Sequence, residues 1–168
     1  MTNLAEHQVP RTCRARSSKR SHDAGPSYAR CNDPRWPAIV SAFRVLRAAN
    51  RRTVRIVDIH CNGGHLLLCA VRQASAMGFT AIEARGLDDG LARVERARAL
   101  AACLIDPAVG ISIEATDLLS ALSEECDFPA DIVIAHQDAL SDARIASLLE
   151  EAGRSVIVEP RQSAELAA

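Results

Sequence analysis

The sequence predicts an α/β sandwich, with a mainly parallel sheet covered by helices on both faces. Short apolar stretches typical of buried strands alternate with longer segments whose apolar residues recur at helical spacing. The strand stretches are almost continuously apolar, as in parallel sheets that are covered on both sides, and right-handed crossovers are expected between them. A chain of 168 residues is long enough for one such domain with a proper core.

The first predicted element is a helix that begins at Asp33-Pro34 and ends before Asn50. An aspartate followed by a first-turn proline is a typical helix start, and the helical spacing is carried by Ile39, Val40, Phe43 and Leu46.

The stretch Thr53–Gly64 predicts a strand, a tight turn and the start of the next helix. A β-branched apolar run ends in Asp58, and the Asn-Gly-Gly sequence at 62–64 turns the chain into the apolar helix His65–Met77. This arrangement places a carboxylate at the strand end and free backbone N–H groups at the helix start, where glycine allows close approach of a ligand. The stretch therefore indicates a nucleotide-like ligand without identifying it.

The remaining elements follow in regular alternation, and a polar or acidic residue stands after each of the next three strands. In chain order they are strand 2 at Thr80–Leu87, a helix at Gly90–Cys103, strand 3 at Gly110–Ala115, a helix opening at Asp117-Leu118, strand 4 at Ile132–Ala135, a helix from Ser141-Asp142 to Gly153, and strand 5 at Ser155–Pro160.

The segment DIHCNGGHLLLCAV, which starts at Asp58, resembles motif I of the class I S-adenosylmethionine-dependent methyltransferases. In that family a strand ends in an acid and an Asp/Glu-x-Gly-x-Gly-x-Gly loop follows. Asp58 and Gly64 match the pattern, His60 and Asn62 occupy two of its glycine positions, and Gly63 is an extra glycine between them. Asparagine tolerates a left-handed backbone well, whereas the ring of His60 could either stack on a ligand or fill its space.

The resemblance covers residues 34–160 and implies a Rossmann-like sheet in the order 3-2-1-4-5, with the ligand at the switch point between strands 1 and 4. It implies S-adenosyl-L-methionine as the cofactor. The implied cofactor residues are Asp58, His60, Cys61, Asn62, Gly63 and Gly64 on the methionine and ribose side, Asp88 on the ribose, and Asp117 with Leu118 on the adenine. For Asp88, its neighbour Asp89 and Asp117, helix capping is the alternative interpretation.

His136, directly after strand 4, stands where the family often presents groups that face the methyl acceptor. Methyl transfer is an in-line displacement that needs a base only when the acceptor loses a proton. The imidazole of His136 could be that base, with Asp138 as its orienting partner, or it could be a polar residue at the rim of the sheet. The Asn/Asp-Pro-Pro-aromatic motif of the amino-group methylases is absent, which disfavours amino-base methylation. The acceptor is not identified by the sequence; a small molecule is expected, and a nucleic acid is not.

The family core continues beyond strand 5 with a helix and a final pair of strands, but only residues 161–168 remain here, as a short C-terminal tail. The sheet is therefore expected to lack that pair, and a second copy of the chain or a partner chain is expected to cover strand 5. A catalytically inactive methyltransferase-like domain that acts as a binding or structural subunit is the alternative function. A nicotinamide-dependent oxidoreductase is disfavoured because the GxGxxG spacing is missing.

Composition adds three expectations. The formal net charge is -1, yet residues 1–32 are basic and of low apolar periodicity, which predicts a disordered tail ahead of the domain at 33–160. No apolar run approaches a bilayer span and no signal-peptide pattern is present, so a cytoplasmic protein without membrane association is expected. The six cysteines show no CxxC spacing, so reduced thiols and no metal site are expected.

Overall fold

A computed structural model describes residues 31–159, in which helices and strands alternate as the sequence predicts. The expected tails, residues 1–32 apart from their last two positions and residues 161–168, lie outside the described residues. The elements are α1 Trp36–Ala48, β1 Thr53–Ile59, α2 His65–Ala76, β2 Ala81–Asp88, α3 Leu91–Ala101, β3 Val109–Ala115, α4 Leu118–Asp127, β4 Ile132–Ala135, a 3-10 helix Gln137–Ser141, α5 Ala143–Ala152 and β5 Val156–Val158.

The strands form one five-stranded sheet in the order β3-β2-β1-β4-β5, and every pairing is parallel. In register, Asp58 of β1 lies beside Gly86 of β2 on one side and Ile134 of β4 on the other. The predicted order is confirmed: β2 and β3 are added on one side of β1, and β4 and β5 are added on the other. The carboxyl ends of β1 and β4 therefore open a crevice at the same edge of the sheet.

Alternate residues of the central strand β1 point to opposite faces of the sheet, where they contribute to two separate apolar layers. Val54 and Ile56 of β1 point toward α1, α2 and α3, where the buried residues include Phe43 and Leu67. The intervening Val57 and Ile59 face α4 and α5. This period-two division explains why the strand stretches look uniformly apolar in the sequence.

A buried charge cluster lies between the sheet and the end of α4. Glu125 of α4 is almost completely buried, and its carboxylate accepts from Arg55 of β1 and from Arg85 of β2, the latter at 2.7 Å between Arg85 Nη1 and Glu125 Oε1. Arg85 also pairs with Glu114 of β3 through a 2.7 Å contact between Nη2 and Oε2. These ion pairs connect three strands to α4 at the end of that helix nearest the amino edge of the sheet.

Two local details differ from the sequence prediction. The first helix begins at Trp36 rather than at Asp33-Pro34, because the Asp33 carboxylate binds the Arg35 side chain and backbone instead of capping a helix; Pro37 is the first-turn proline. A 3-10 helix, Gln137–Ser141, follows β4 where the sequence indicated no regular element. None of the helices within residues 31–159 is long and apolar enough to cross a bilayer.

Candidate functional site

The loop between β1 and α2 has a left-handed backbone at all three positions that are glycine in the methyltransferase pattern. The φ angles are 54° at His60, 51° at Asn62 and 75° at Gly64. Histidine and asparagine are among the side chains that adopt this conformation most often, so the loop shape survives both replacements. At Gly64 a glycine is required on a second ground, because an added Cβ would lie 2.9 Å from the Cβ of Ala97 in α3.

Asp58, near the end of β1, is a buried carboxyl group with an unmatched oxygen. It is 2% exposed, and its Oδ2 has no hydrogen-bond partner among residues 31–159. Burial raises the pKa of Asp58 to about 7; the Arg35 guanidinium opposes this rise, and the carboxylates of Asp33 and Asp88 add to it. The group is therefore poised to change its charge near neutral pH.

A cleft of about 240 Å³ opens beside Asp58 at the crevice between β1 and β4. It is a little smaller than the roughly 300–1,000 Å³ of typical ligand pockets. Its lining comes from the segment before α1, the end of β1, the β1–α2 loop, the first turn of α2 and the residue after β4. The lining residues are Asp33, Arg35, Asp58, His60, Cys61, Asn62, Gly63, His65, Leu66 and His136. The structure thus brings together six of the predicted site residues, Asp58, His60, Cys61, Asn62, Gly63 and His136.

Arg35 is a cleft residue that the sequence did not indicate. Its buried guanidinium donates to Asp33 Oδ2 at 2.7 Å and to the backbone carbonyl of Ala135 at 3.1 Å, which bridges the start of α1 to the end of β4. Burial would lower the pKa of Arg35, but the hydrogen bond to Asp33 and the charges of Asp33 and Asp58 outweigh it and raise that pKa. The lining of the cleft therefore includes a permanent cation as well as the titratable Asp58.

His136 has its Nε2 atom directed at two donors. Arg35 Nη2 and Asn62 Nδ2 each lie 3.4 Å from His136 Nε2, and the amide of Asn62 also donates to the carbonyl of His60. Because both neighbours can only donate, Nε2 is the acceptor and the ring proton belongs on Nδ1.

The carboxylate that contacts His136 is Glu159, with Oε2 3.4 Å from Nδ1. Asp138, which the sequence suggested as the orienting partner, is exposed and makes no hydrogen bond within the described chain. Glu159 follows β5 directly, and an acid after a strand is the signal that identified Asp88 and Asp117. The sequence prediction ran strand 5 through Glu159 to Pro160, so this signal became readable only when the structure ended the strand at Val158.

Asp88, at the end of β2, is fully engaged by the chain itself. Its Oδ1 accepts from Gly90 N at 2.8 Å and from Arg93 Nε at 2.7 Å, and its Oδ2 accepts from Asn62 N at 3.0 Å. Burial would raise the pKa of Asp88, but these three hydrogen bonds outweigh it and lower the pKa. Asp88 therefore stays ionised and ties the β1–α2 loop to the start of α3.

The other predicted residues lie outside the lining of the cleft. Asp117 caps α4 by accepting from Ser120 N at 2.9 Å, which is the capping alternative for this residue, and the hydrogen bonds from Ser120 lower its pKa. Leu118 is buried in the apolar layer beneath α4.

Cys61 does line the cleft. Burial and the nearby charges of Asp58 and Asp88 raise the pKa of Cys61 to about 12, so its thiol stays neutral. Within residues 31–159 no group of three His, Cys, Asp or Glu side chains is arranged to hold a metal ion.

Solved structures with the same fold are found at low sequence identity. WbdD shares 18% identity with a TM-score of 0.55, over 78% of this chain and 29% of that protein. A SAM-dependent methyltransferase from Geobacter sulfurreducens, in complex with S-adenosyl-L-homocysteine, shares 16% identity with a TM-score of 0.50, over 77% of this chain and 50% of that one. The chain has the class I methyltransferase fold.

Another structure with this methyltransferase fold is magnesium protoporphyrin IX methyltransferase from Synechocystis with bound SAH, at 16% identity and a TM-score of 0.50, over 73% of this chain and 53% of that one. The chain thus spans between 29% and 53% of the length of these three proteins. No protein-family model matches the sequence, and the search of curated proteins finds no match.

Proposed function

We propose that this chain is an S-adenosylmethionine-dependent methyltransferase domain that acts on a small-molecule acceptor. The observation that carries the proposal is the β1–α2 loop, which has three left-handed positions directly after Asp58, a buried carboxyl group whose Oδ2 has no partner among residues 31–159. The fold supports it, and so do the Geobacter and Synechocystis proteins, which bind S-adenosylhomocysteine.

The charges of the cleft fit the amino-acid end of the cofactor. A methionine moiety carries one ammonium and one carboxylate group, and the lining of the cleft includes both the Asp58 carboxyl and the Arg35 guanidinium. Asp58 would accept from the ammonium through Oδ2, which lacks a partner in the described chain, and Arg35 would pair with the carboxylate. The proposed contact would keep Asp58 ionised at neutral pH because a cation beside a carboxylate favours its charged form.

The bound cofactor would supply a methyl group on a sulfonium, and the chain's own residues would align the acceptor and exclude water. His136 is the group at the β4 end that can take a proton, because its Nδ1 faces Glu159 and its Nε2 carries the lone pair. The Arg35 and Asn62 donors now directed at Nε2 would have to turn away before an acceptor could use it. His136 would then act as base for an acceptor that loses a proton, with Glu159 holding the ring.

Calorimetric titration with S-adenosylhomocysteine tests the proposal at the binding step. Saturable binding is expected for the wild-type chain, strong weakening for Asp58→Asn, and no binding of NAD. Asp127→Asn, which removes an exposed carboxylate at the end of α4, is the matched control and is expected to bind like the wild type. Absence of binding to well-folded protein at millimolar ligand would refute the proposal for this chain.

The second candidate is the inactive methyltransferase-like domain. It is favoured by the hydrogen bonds that the chain itself donates to Asp88, because they occupy the carboxylate that would bind the ribose. The two candidates differ in turnover. An active methyltransferase is expected to convert S-adenosylmethionine to S-adenosylhomocysteine when a panel of candidate acceptors includes one that it methylates. An inactive subunit would bind the same ligand and convert none of it.

A further inference from the structure

Arg93, in the first turn of α3, folds back over the end of β2. Its Nε lies 2.7 Å from Asp88 Oδ1, and its Nη2 lies 2.6 Å from Asp89 Oδ1. Asp88 is 0% exposed, whereas the Asp89 side chain is 66% exposed and the Arg93 side chain 40% exposed. One flexible side chain therefore shields one buried carboxylate from solvent.

Gly90 provides the space for this arrangement. A Cβ at position 90 would lie 2.5 Å from Arg93 Cζ and 2.6 Å from Arg93 Nη2. The φ angle of Gly90 is -95°, which any residue can adopt, so the backbone does not require glycine there. A small residue is required at position 90 because the folded-back side chain of Arg93 fills the space that a Cβ would need.

The hydrogen bonds of Asp88 leave little capacity for a ligand. A carboxylate has about four acceptor sites, and a vicinal diol needs two of them. Two of the three present donors are the backbone N–H groups of Asn62 and Gly90, which the loop and α3 hold in place. Arg93 is the only one of the three donors that can leave by side-chain rotation alone.

We propose that Arg93 is an internal competitor for the ribose subsite: it occupies Asp88 in the free chain and moves onto Asp89 alone when a ribose-containing ligand binds. The inference rests on the proposed function, in which Asp88 receives the ribose hydroxyls. Asp89 makes the exchange feasible because it already holds the other end of the guanidinium and lies in the solvent-exposed position. Arg93 thereby sets the affinity of the site for the diol.

Two substitutions act on the competitor by independent routes. Arg93→Ala removes the guanidinium, and Gly90→Ala places a methyl group where the guanidinium now lies, without changing any charge. Both are expected to bind S-adenosylhomocysteine more tightly than the wild type, by up to about fivefold, which is the upper limit for the loss of a partly exposed ion pair. Arg96→Ala controls for the lost positive charge, because Arg96 is an exposed residue of the same helix.

The test is calorimetric titration of these four proteins with S-adenosylhomocysteine, adenosine and 2′,3′-dideoxyadenosine, with circular dichroism as the check of folding. Tighter binding of the two diol-bearing ligands by both variants, with no gain for the dideoxy nucleoside or in Arg96→Ala, would support the proposal. Unchanged or weaker binding by Arg93→Ala, with the wild type binding normally, would overturn it and leave the proposed function intact. Binding by none of the four proteins would overturn both.

Discussion

Replacing Asp58 by asparagine is expected to make the chain progressively more stable than the wild type as the pH rises. Burial raises the pKa of Asp58 from 3.8 to about 7. Between these values the folded chain keeps a proton that the unfolded chain has released, so wild-type stability falls as the pH rises through this window. Below pH 3.8 the penalty is absent, and above pH 7 it reaches about 4 kcal/mol, at 1.36 kcal/mol for each tenfold difference in proton affinity.

Urea denaturation at pH 5 and pH 8 measures this effect directly. The free energy of unfolding of Asp58→Asn minus that of the wild type is expected to grow by between about 2 and 3 kcal/mol from the lower to the higher pH. Comparing the two pH values cancels the constant cost of burying the asparagine amide. A difference that stays the same at both pH values would refute the assignment of a raised pKa to Asp58. The variant that gains stability is also the one expected to lose the ligand, so the buried carboxyl is retained at a cost to the fold.

Two further predictions concern the fold around the site, and both are measured by urea denaturation at pH 7. Gly64→Ala is expected to lower the free energy of unfolding by about 2 kcal/mol or more, because position 64 has a left-handed φ of 75° and the added Cβ would lie 2.9 Å from Ala97. Gly63→Ala is the control and is expected to be close to neutral, because the nearest atom to its added Cβ is 3.6 Å away. Equal effects of the two substitutions would contradict the assigned backbone. Glu125→Ala is expected to lower the free energy of unfolding by about 3–5 kcal/mol, because it leaves Arg55 and Arg85 without their buried partner. Glu124→Ala removes an exposed neighbour and is expected to cost less than about 1 kcal/mol. A small loss of stability in Glu125→Ala would mean that water reaches the cluster.

The fold could be predicted because each strand and helix carries its own local signal. Burial on both faces makes β4 apolar throughout and the centre of β1 mostly apolar. Asp142 caps α5, as its position before the helix indicates. The strand that ends at Asp58 and the turn after it also carry a local signal, whereas the positions of His60, Asn62 and Gly64 in the loop pattern were implied by the resemblance to motif I.

The contacts within the site could not be predicted in the same way, because they join residues that are remote in sequence. Arg35 donates to the carbonyl of Ala135, 100 positions away, and no local pattern encodes that pairing. Asp33 has the sequence of a helix cap, yet the nearby guanidinium competes successfully for its carboxylate. Arg93 looks like an ordinary surface residue of a helix, and its position over Asp88 depends on the missing side chain of Gly90.

The charge cluster at Glu125 attaches the last turn of α4 to the sheet. The cluster holds the last turn of the helix near the amino edge of the sheet, while Leu118 starts the helix at the opposite edge, about 10–15 Å away for a helix of this length. Because Glu125 is excluded from water, salt will screen this attachment far less than it screens surface pairs. The start of the helix has its own attachment, because Leu118 and Leu122 are buried in the apolar layer. A substitution at Glu125 is therefore expected to loosen the last turn of α4 while Leu118 keeps the first turn in place.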